Sequence, residues 1–367
     1  MDENFSGPCF TLGIEEELMI LDPSDGYRLA NAIERLIEDS PDGDLKPELL
    51  ECVLEIATRP SANTAEAGAQ LRSLRRQASA AAAKHGLEIG SAGTHPFGLW
   101  EDQRISAGER YRYLVSELKF VARQELIFGL HVHVGIDDRE KAIHVANGMR
   151  VHVPILLALS ANSPYWRSDA TGLASTRVPI FRAFPRIGIP PVYANWQDYT
   201  DRIAFMSESG VIKDYTYLWF DVRPHPNLGT VEVRATDGQT RVEHTLALAA
   251  LVQAMVRELA LHYESGQKLA DYPHEMLDEN KWAAARHGRH GELVDLPTSD
   301  RVQTRDLARR LYDRLRDHAV DLGSVNEFDC LLELVDEGTG ADRQRMVYEA
   351  NEDFTELARE IVEATGA

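Results

Sequence analysis

The feature that most constrains the fold is the recurrence of charged side chains at alternate positions inside segments with a β-strand pattern. In the segment TLGIEEELMI, residues 11–20, Glu15 and Glu17 project to one face of a strand and Glu16 to the other, because strand side chains alternate. The two acids on the shared face would be about 7 Å apart along the strand. Such a pair either faces water on an edge strand or shares a cation.

The composition is that of a globular protein with a large core. The chain has 367 residues, of which 44% are hydrophobic and 27% are charged, and this length allows one large domain or two smaller ones. Its 59 acidic and 39 basic residues give a formal net charge of −20, which repels phosphate backbones and anionic lipid surfaces. We therefore expect no nucleic-acid partner.

The cysteines and the N-terminal segment indicate the compartment. Cys9, Cys52 and Cys330 are widely spaced and odd in number, which predicts neither a disulfide framework nor a zinc ribbon. The first ten residues lack the basic and apolar regions of an export signal, and no window approaches about 18 uninterrupted apolar residues. We expect a cytoplasmic protein without a membrane span.

Hydrophobic periodicity and turn signals predict an α+β fold. The strands pair as hairpins, with helices inserted between them rather than in strict alternation, and this order favours an antiparallel sheet. A long irregular connection, residues 160–191, is expected to carry function. The predicted strands are 11–22, 49–58, 87–92, 126–136 and a hairpin within 217–238, and the predicted helices are 27–38, 64–85, 110–124, 142–159, 246–265, 304–320 and 346–363.

Four of the strand candidates carry polar side chains that are expected to share one face of the sheet. Two carboxylates about 4 Å apart repel by about 4 kcal/mol at an effective dielectric near 20, so either their pKa values rise or cations bind among them. Oxygen ligands with an occasional imidazole suit Mg²⁺ or Mn²⁺ better than zinc. The side chains are Glu15 and Glu17, Glu55 and the earlier acid Glu48, His131 and His133, and Glu232 and Arg234.

Two kinds of chemistry fit this set. Arg234 beside Glu232 adds a cation that can hold a phosphate oxygen, and carboxylates, metal ions and arginine together suit phosphoryl transfer. Neither GxxxxGK[ST] nor GxGxxG occurs in the sequence, so metals and arginines would have to hold the phosphates of ATP. The alternative is a metal-dependent hydrolase, in which the histidines and glutamates bind metals that activate water. A hydrolase of neutral substrates would not need Arg234 or Arg177.

Seven motifs in order resemble the type 2 glutamate-cysteine ligase family, the YbdK-like carboxylate-amine ligases. The motifs are LGIEEEL, VLEIATRP, AGTHPF, GLHVHVG, SPYW, RPHPNLGTVEVR and ENKWAAARHG. The resemblance implies a single domain, residues 1–367, with a glutamine-synthetase-like catalytic fold, in which a curved antiparallel sheet forms an open funnel with helices packed outside. It also implies ATP-dependent formation of an amide through an acyl phosphate, with release of ADP and phosphate.

The resemblance further implies roles for individual residues. Arg234 resembles the group that faces the γ-phosphate, and Arg177 resembles the group that holds the substrate carboxylate. The expected substrates, besides ATP with Mg²⁺ or Mn²⁺, are an amino acid or other small carboxylate and an amine, and the leucine-rich helices are expected to form core or a homodimer surface. The expected metal ligands are Glu15, Glu17, Glu48, Glu55, His131 and Glu232, and further candidates on the nucleotide side are Lys213, Asn280 and Arg286.

Overall fold

The computed structural model describes residues 3–39 and 43–366. The strands are β1 (Leu12–Asp22), β2 (Arg28–Leu29), β3 (Leu45–Pro47), β4 (Val53–Ala57), β5 (Glu88–Gly90), β6 (Gly129–Gly135), β7 (Tyr165–Trp166), β8 (Asp169–Ala170), β9 (Ile187–Gly188), β10 (Trp219–Phe220), β11 (Val222–His225), β12 (Thr230–Asp237), β13 (Glu292–Asp295) and β14 (Asp300–Gln303). The helices are α1 (Ile33–Glu38), α2 (Thr64–Ala83), α3 (Glu109–Leu118), α4 (Phe120–Arg123), α5 (Arg139–Met149), α6 (Val153–Ser160), α7 (Arg177–Phe181), α8 (Trp196–Glu208), α9 (Val242–Glu264), α10 (His274–His287), α11 (Thr304–Asp321), α12 (Val325–Asp329), α13 (Leu331–Asp336), α14 (Gly340–Asn351) and α15 (Phe354–Thr365).

One eight-stranded sheet organises the described part of the chain. Its strand order is β11-β12-β6-β1-β4-β3, with β2 and β5 also paired to β1, and every pairing in this sheet is antiparallel. The sheet is open rather than closed into a barrel, and helices accompany it throughout the chain. The predicted α+β class with an antiparallel sheet is therefore confirmed.

Strand β1 separates the two faces of the sheet. Its burial alternates from Leu12 onward, so that Ile14 and Glu16 are buried while Glu15 and Glu17 are partly open. The buried face is covered by α2, whose Arg75 donates to both carboxylate oxygens of Glu16 at 2.8 Å. The expectation that Glu16 faces away from the other two acids is confirmed.

Two long apolar stretches form the core behind the sheet. Residues 139–160 and α9 are long and apolar enough to cross a membrane by length and composition, but 78% and 89% of their most apolar windows are buried inside the protein. The apolar character of both stretches is accounted for by packing, since α9 contacts α5, α2, β6 and β1.

Several predicted boundaries were wrong. Of the predicted helix 27–38 only Ile33–Glu38 is helical, because Arg28–Leu29 pair with β1 instead. The predicted helix 110–124 is broken at Lys119, which has a φ of 52°. The predicted helix 346–363 is two helices, and Asp353 caps the second by accepting a hydrogen bond from the amide of Thr355. These breaks depend on local backbone geometry that hydrophobic spacing does not report.

Candidate active site

Strand register brings the predicted acids and histidines into one row across the sheet. Residues that face each other on neighbouring antiparallel strands have Cβ atoms about 5 Å apart, so their side chains interact directly. The row crosses β4, β1, β6, β12 and β11 in that order. The facing pairs are Glu55 with Glu17, Glu15 with His131, His133 with Glu232, and Glu232 with Arg223.

The first cluster in this row is Glu15, His133 and Glu232. One ligand atom from each lies within 4.8 Å of the others, and Nε2 of His133 is 3.6 Å from Glu15 and 3.8 Å from Glu232. Nδ1 of His133 forms a hydrogen bond of 3.0 Å with the hydroxyl of Thr230. Its Nε2 is buried and has no hydrogen-bond partner among the described residues. An imidazole fixed through one nitrogen with the other free is arranged as metal-ligating histidines usually are.

His131, the histidine expected to bind metal, lies outside this cluster of three. Its Nδ1 is 3.3 Å from Oε2 of Glu15, and its Nε2 is 4.0 Å from Oε1 of Glu17. The geometry therefore points to His133 as the better placed ligand of the two. The sequence placed both histidines on one face, but only the pairing of β6 with β12 puts His133 opposite Glu232.

The second cluster is made of Glu17, Glu48 and Glu55. Oε2 of Glu17 accepts a hydrogen bond from the amide of Gly129 at 2.5 Å, and Glu55 accepts one from Nζ of Lys46 at 3.2 Å. Burial raises the pKa of Glu48 well above its usual range, and the charges of Glu55 and Glu17 add to this effect. Burial and the charge of Glu15 likewise raise the pKa of Glu55 to about 7.

The first cluster has the opposite electrostatic character. Burial acts to raise the pKa values of Glu15 and Glu232, but the two histidines outweigh it at Glu15, and Arg223 and Arg234 outweigh it at Glu232. Both acids are held ionised, with pKa values well below the usual range. The sheet row therefore joins a cluster with two ionised acids, Glu15 and Glu232, to one in which the pKa values of Glu48 and Glu55 are raised.

Arg234 lies where the pairing of β12 with β6 is irregular. The register between β12 and β6 shifts between Val233 and Thr236, a β-bulge of the kind that re-aims side chains near active sites. Arg234 is paired with Glu232, and its Nη1 is 3.5 Å from Nδ1 of His131. Its Nε is buried without a partner among the described residues, so one donor of the guanidinium is uncommitted.

Arg177 reaches the same place from the long connection. It opens the short helix α7 and is 3% exposed, with Nη2 3.4 Å from the carbonyl of Arg234. Its backbone amide donates to the hydroxyl of Ser163, and that hydroxyl donates to the buried carboxylate of Asp237 at the end of β12. The connection that carries Arg177 is thus anchored to the strand that carries Arg234.

Glu125 also lines this region, although no sequence pattern pointed to it. A small pocket beside the second cluster is lined by Glu17, Glu48, Glu125, His131, Arg177 and Arg234, together with apolar side chains. Burial and the charge of Glu17 raise the pKa of Glu125 to about 8, while Arg177 and Arg234 act to lower it. Glu125 precedes β6 in a loop, where no strand alternation predicts a facing direction.

The structure does not bring Lys213, Asn280 or Arg286 into the row. Nζ of Lys213 lies 4.1 Å from the ring centre of Tyr113 on the exposed surface. The amide group of Asn280 is committed to the backbone of Val294, with hydrogen bonds of 2.8 and 2.7 Å. Arg286 has an exposed side chain, and its carbonyl accepts a bond from Ala174. These three residues lie outside the row, and their nucleotide role stays a prediction.

Comparison with known sequences identifies the family. The sequence profile of glutamate-cysteine ligase family 2 (GCS2) matches residues 11–364. The chain belongs to this family. A protein from Rubrobacter xylanophilus that carries the provisional name glutamate-cysteine ligase 2-1 is 42% identical over 359 residues, covering 97% of this chain and 95% of the relative. A provisionally named glutamate-cysteine ligase 2 from Sorangium cellulosum is 40% identical, covering 96% of each.

Comparison with solved structures identifies the fold of this GCS2 family member. The crystal structure of glutamate-cysteine ligase from Francisella tularensis in complex with AMP matches with a TM-score of 0.72 at 14% identity, covering 98% of this chain and 90% of that one. A bifunctional glutathione synthetase from Pasteurella multocida matches with a TM-score of 0.66 at 14% identity, covering 98% of this chain and 52% of that one. The expected fold and the expected class, an ATP-dependent ligase, are confirmed.

Proposed function

We propose that this GCS2 family member condenses a small carboxylic acid with an amine at the expense of ATP, through an acyl phosphate. The observation that carries the proposal is the single row in which Glu15, His133 and Glu232 meet, with Arg234 beside them. Arg177, on a different segment, reaches the same pocket as Arg234. Acids, imidazole and two arginines at one place suit a reaction that must hold both a phosphoryl group and a carboxylate.

The chemistry follows from the weakness of a carboxylate as an acyl donor. Formation of an amide from a free carboxylate is uphill in water, so one carboxylate oxygen first attacks the γ-phosphorus of ATP and displaces ADP. The amine nitrogen then attacks the acyl carbon, and phosphate leaves with that oxygen. In this scheme Arg177 binds the acid and fixes its direction of approach, and Arg234 donates to the oxygens of the phosphoryl group in transfer.

The first cluster fits a divalent cation, and we propose that the second cluster holds another. The free Nε2 of His133 and the ionised acids Glu15 and Glu232 would hold one, and Glu17, Glu48 and Glu55 would hold another, because their mutual repulsion is relieved by a cation. Mg²⁺, or Mn²⁺ in its place, would neutralise the phosphate charge of ATP when bound. Arg223 supports the first set by donating to both oxygens of Glu232, at 2.5 and 3.3 Å.

A metal-dependent hydrolase is the alternative, and two observations count against it. Family membership gives it no support. A hydrolase of neutral substrates also has no use for two arginines whose Nε donors are buried and uncommitted, whereas a ligase has two anionic groups to hold.

Oxygen transfer tests the proposal directly. The purified protein is incubated with ATP, Mg²⁺ and an acid labelled with ¹⁸O in its carboxylate, drawn from a panel of amino acids and simple acids, together with a panel of amines. We expect phosphate that carries one ¹⁸O atom and an amide detectable by mass spectrometry. Replacement of the amine by hydroxylamine should give the hydroxamate of the same acid.

The controls separate ligation from hydrolysis. Omission of the acid should abolish phosphate release, and chelation of divalent cations should do the same. Phosphate release that needs no acid, or amide formation with unlabelled phosphate, would contradict the acyl-phosphate route. Hydrolysis of an amide without any dependence on ATP would favour the hydrolase.

Further features of the protein complete the proposal. Residues 1–367 would act as one catalytic domain, because the row draws on strands from β1 to β12. The three cysteines are free, which suits a reducing cytoplasm. The substrates would be an amino acid or other small carboxylate and an amine, and sedimentation of the purified protein would decide whether it forms a homodimer.

A further inference from the structure

A cavity of about 420 Å³ lies among the helices, away from the row of acids and histidines. Its lining comes from α6, the end of α9, α10, β13 and α11. It shares no lining residue with the row or with the pocket beside the second cluster. Sites for small molecules have volumes of roughly 300 to 1,000 Å³, so the cavity is large enough for a ligand that the proposed ligase chemistry does not use.

The walls of this cavity are mainly apolar. One edge is fixed where the side-chain amide of Asn280 on α10 bonds to the backbone of Val294 on β13, at 2.8 and 2.7 Å. A ligand that fits must therefore present mostly apolar surface. The apolar side chains of the lining include Pro154, Ile155, Leu259, Leu269, Leu296 and Leu307.

Three arginines and two acids also line the cavity, and two of the arginines are paired. Nη1 of Arg310 lies 3.2 Å from Oδ2 of Asp295, and Nε of Arg314 lies 3.2 Å from Oε1 of Glu258. Burial and the charge of Arg314 lower the pKa of the lining histidine His152 to about 3, so its imidazole is uncharged at neutral pH. These groups therefore leave one arginine, Arg150, to be accounted for.

Arg150 is a buried cation without a counter-charge. It directly follows α5, is 6% exposed and uses its Nε to donate to the carbonyl of Pro190 at 2.8 Å. The exposed acid Asp271 acts on the pKa of Arg150 but forms no ion pair with it. Within residues 3–39 and 43–366, neither Nη1 nor Nη2 of Arg150 has a hydrogen bond or an ion pair. A guanidinium stays protonated when buried, so an anion bound here would compensate a costly unpaired charge.

We propose that this cavity binds an apolar carboxylic acid, with its carboxylate on Nη1 and Nη2 of Arg150 and its hydrocarbon part against the leucine-rich walls. The two nitrogen atoms present donors that match the two oxygens of a carboxylate. A monoanion fits better than a phosphate dianion, because Glu258 and Asp295 line the same cavity and repel further negative charge. The bound acid would be neither substrate of the ligase reaction.

Calorimetric titration of the full chain with three probes tests the site. Decanoate carries both the hydrocarbon chain and the charge, 1-decanol carries the chain alone, and butyrate carries the charge on a much shorter chain. We expect one decanoate to bind per chain, about tenfold or more tightly than 1-decanol, because hydrogen bonds to a charged group are strong. Butyrate should bind at least about 100-fold more weakly than decanoate, because it buries far less apolar surface.

Variants locate the binding. Arg150→Met removes the charge, Arg150→Lys retains it, and Leu296→Trp fills part of the cavity from a half-buried position. Arg301→Met, at an exposed position on β14, is the control for loss of one positive charge. Glu15→Gln is the control for binding in the proposed active site. Circular dichroism would establish that each variant is folded.

We expect Arg150→Met to bind decanoate about tenfold or more weakly than wild type does, with its affinity for 1-decanol unchanged. Arg150→Lys should retain part of the affinity for decanoate, and Leu296→Trp should weaken the binding of both ten-carbon probes. Arg301→Met and Glu15→Gln should bind decanoate as wild type does.

Several results would overturn the assignment. Equal affinities of wild type for decanoate and 1-decanol would show that no cation contributes, and binding of several molecules per chain would show adsorption without a site. Unchanged decanoate binding in Arg150→Met and Leu296→Trp would place the acid elsewhere, and loss of binding in Glu15→Gln alone would place it in the proposed active site. If Arg150→Met does not fold, Leu296→Trp and the comparison of the two ten-carbon probes on wild type still decide.

Discussion

Gly129 and Arg177 are packed so closely that a Cβ atom on the glycine would lie 2.6 Å from Nη2 of the arginine and 3.0 Å from Nε2 of His131. The guanidinium of Arg177 is buried, so it cannot move aside into solvent. The absence of a side chain at position 129 therefore determines where the arginine sits. The backbone amide of Gly129 also donates a hydrogen bond to the carboxylate of Glu17. One glycine therefore helps to orient both a cationic and an anionic side chain.

We expect Gly129→Ala to raise KM for the acid about tenfold or more, since displacement of a positioning arginine by 1 Å is costly. Steady-state kinetics with the acid as varied substrate would measure this. Gly13→Ala is a matched control on β1, because its Cβ would meet Cβ of His133 at an ordinary 3.5 Å. Equal kinetics in the two variants would show that the position of Arg177 does not depend on Gly129.

Glu15→Gln and Glu17→Gln should each abolish turnover while the protein remains folded. Each variant removes a charged oxygen ligand from a different cluster, and neither acid is buried behind the sheet. Phosphate release, Mn²⁺ binding by calorimetry and circular dichroism would be compared with wild type. Normal ATP turnover in both variants would refute the metal assignment.

Glu16, between these two acids, should behave differently. It is buried and receives hydrogen bonds from Arg75 and Thr245 on the helical side of the sheet. Removal of one partner of a buried ion pair leaves the other charge uncompensated, at a cost of about 3 to 5 kcal/mol. Arg75→Met should therefore lower the free energy of unfolding by about this amount in urea titrations. A variant as stable as wild type would show that water or another group compensates Glu16.

The metal-free protein should lose stability as pH rises. The folded-state pKa of Glu55 is raised to about 7 and that of Glu125 to about 8, both from 4.5, so the folded protein holds protons that the unfolded chain has lost. The resulting stabilisation is present below pH 4.5 and disappears as pH rises to about 8, by roughly 3 kcal/mol for Glu55 and roughly 5 kcal/mol for Glu125.

Thermal unfolding in EDTA between pH 5 and 8.5, repeated with Mg²⁺, would measure this dependence. Glu55→Gln should flatten the curve in EDTA, and Mg²⁺ should restore the stability of wild type at high pH. Stability that does not depend on pH in EDTA would contradict the raised pKa values.

Arg234→Lys should lower turnover about a hundredfold although the charge is kept. A lysine is a point donor and cannot reproduce the planar fork that spans two oxygens, and loss of one preorganised donor to a developing charge costs on the order of 3 kcal/mol. Phosphate release at saturating ATP would be measured beside metal binding. A defect confined to metal binding would make Arg234 a structural partner of Glu232 only.

Sequence periodicity predicted where the strands of the row lie and which side chains share a face of the sheet, because both are local properties. The alternation in β1 separated Glu16 from Glu15 and Glu17, and the structure agrees. Local patterns failed where a tertiary contact decided the conformation, as at Arg28–Leu29, which pair with β1 rather than continue a helix.

The sequence by itself therefore determined the fold class, the family and which acids, histidines and arginines could share a face, since these depend on residue type, order and a period of two. Only the tertiary structure decided which groups meet. Strand register paired His133 with Glu232 and Glu17 with Glu55, and chain packing placed Arg177 and Glu125 in one pocket. The tertiary structure also commits the side-chain amide of Asn280 to hydrogen bonds with the backbone of Val294. Contacts between distant segments are set by register and packing, which no local spacing encodes.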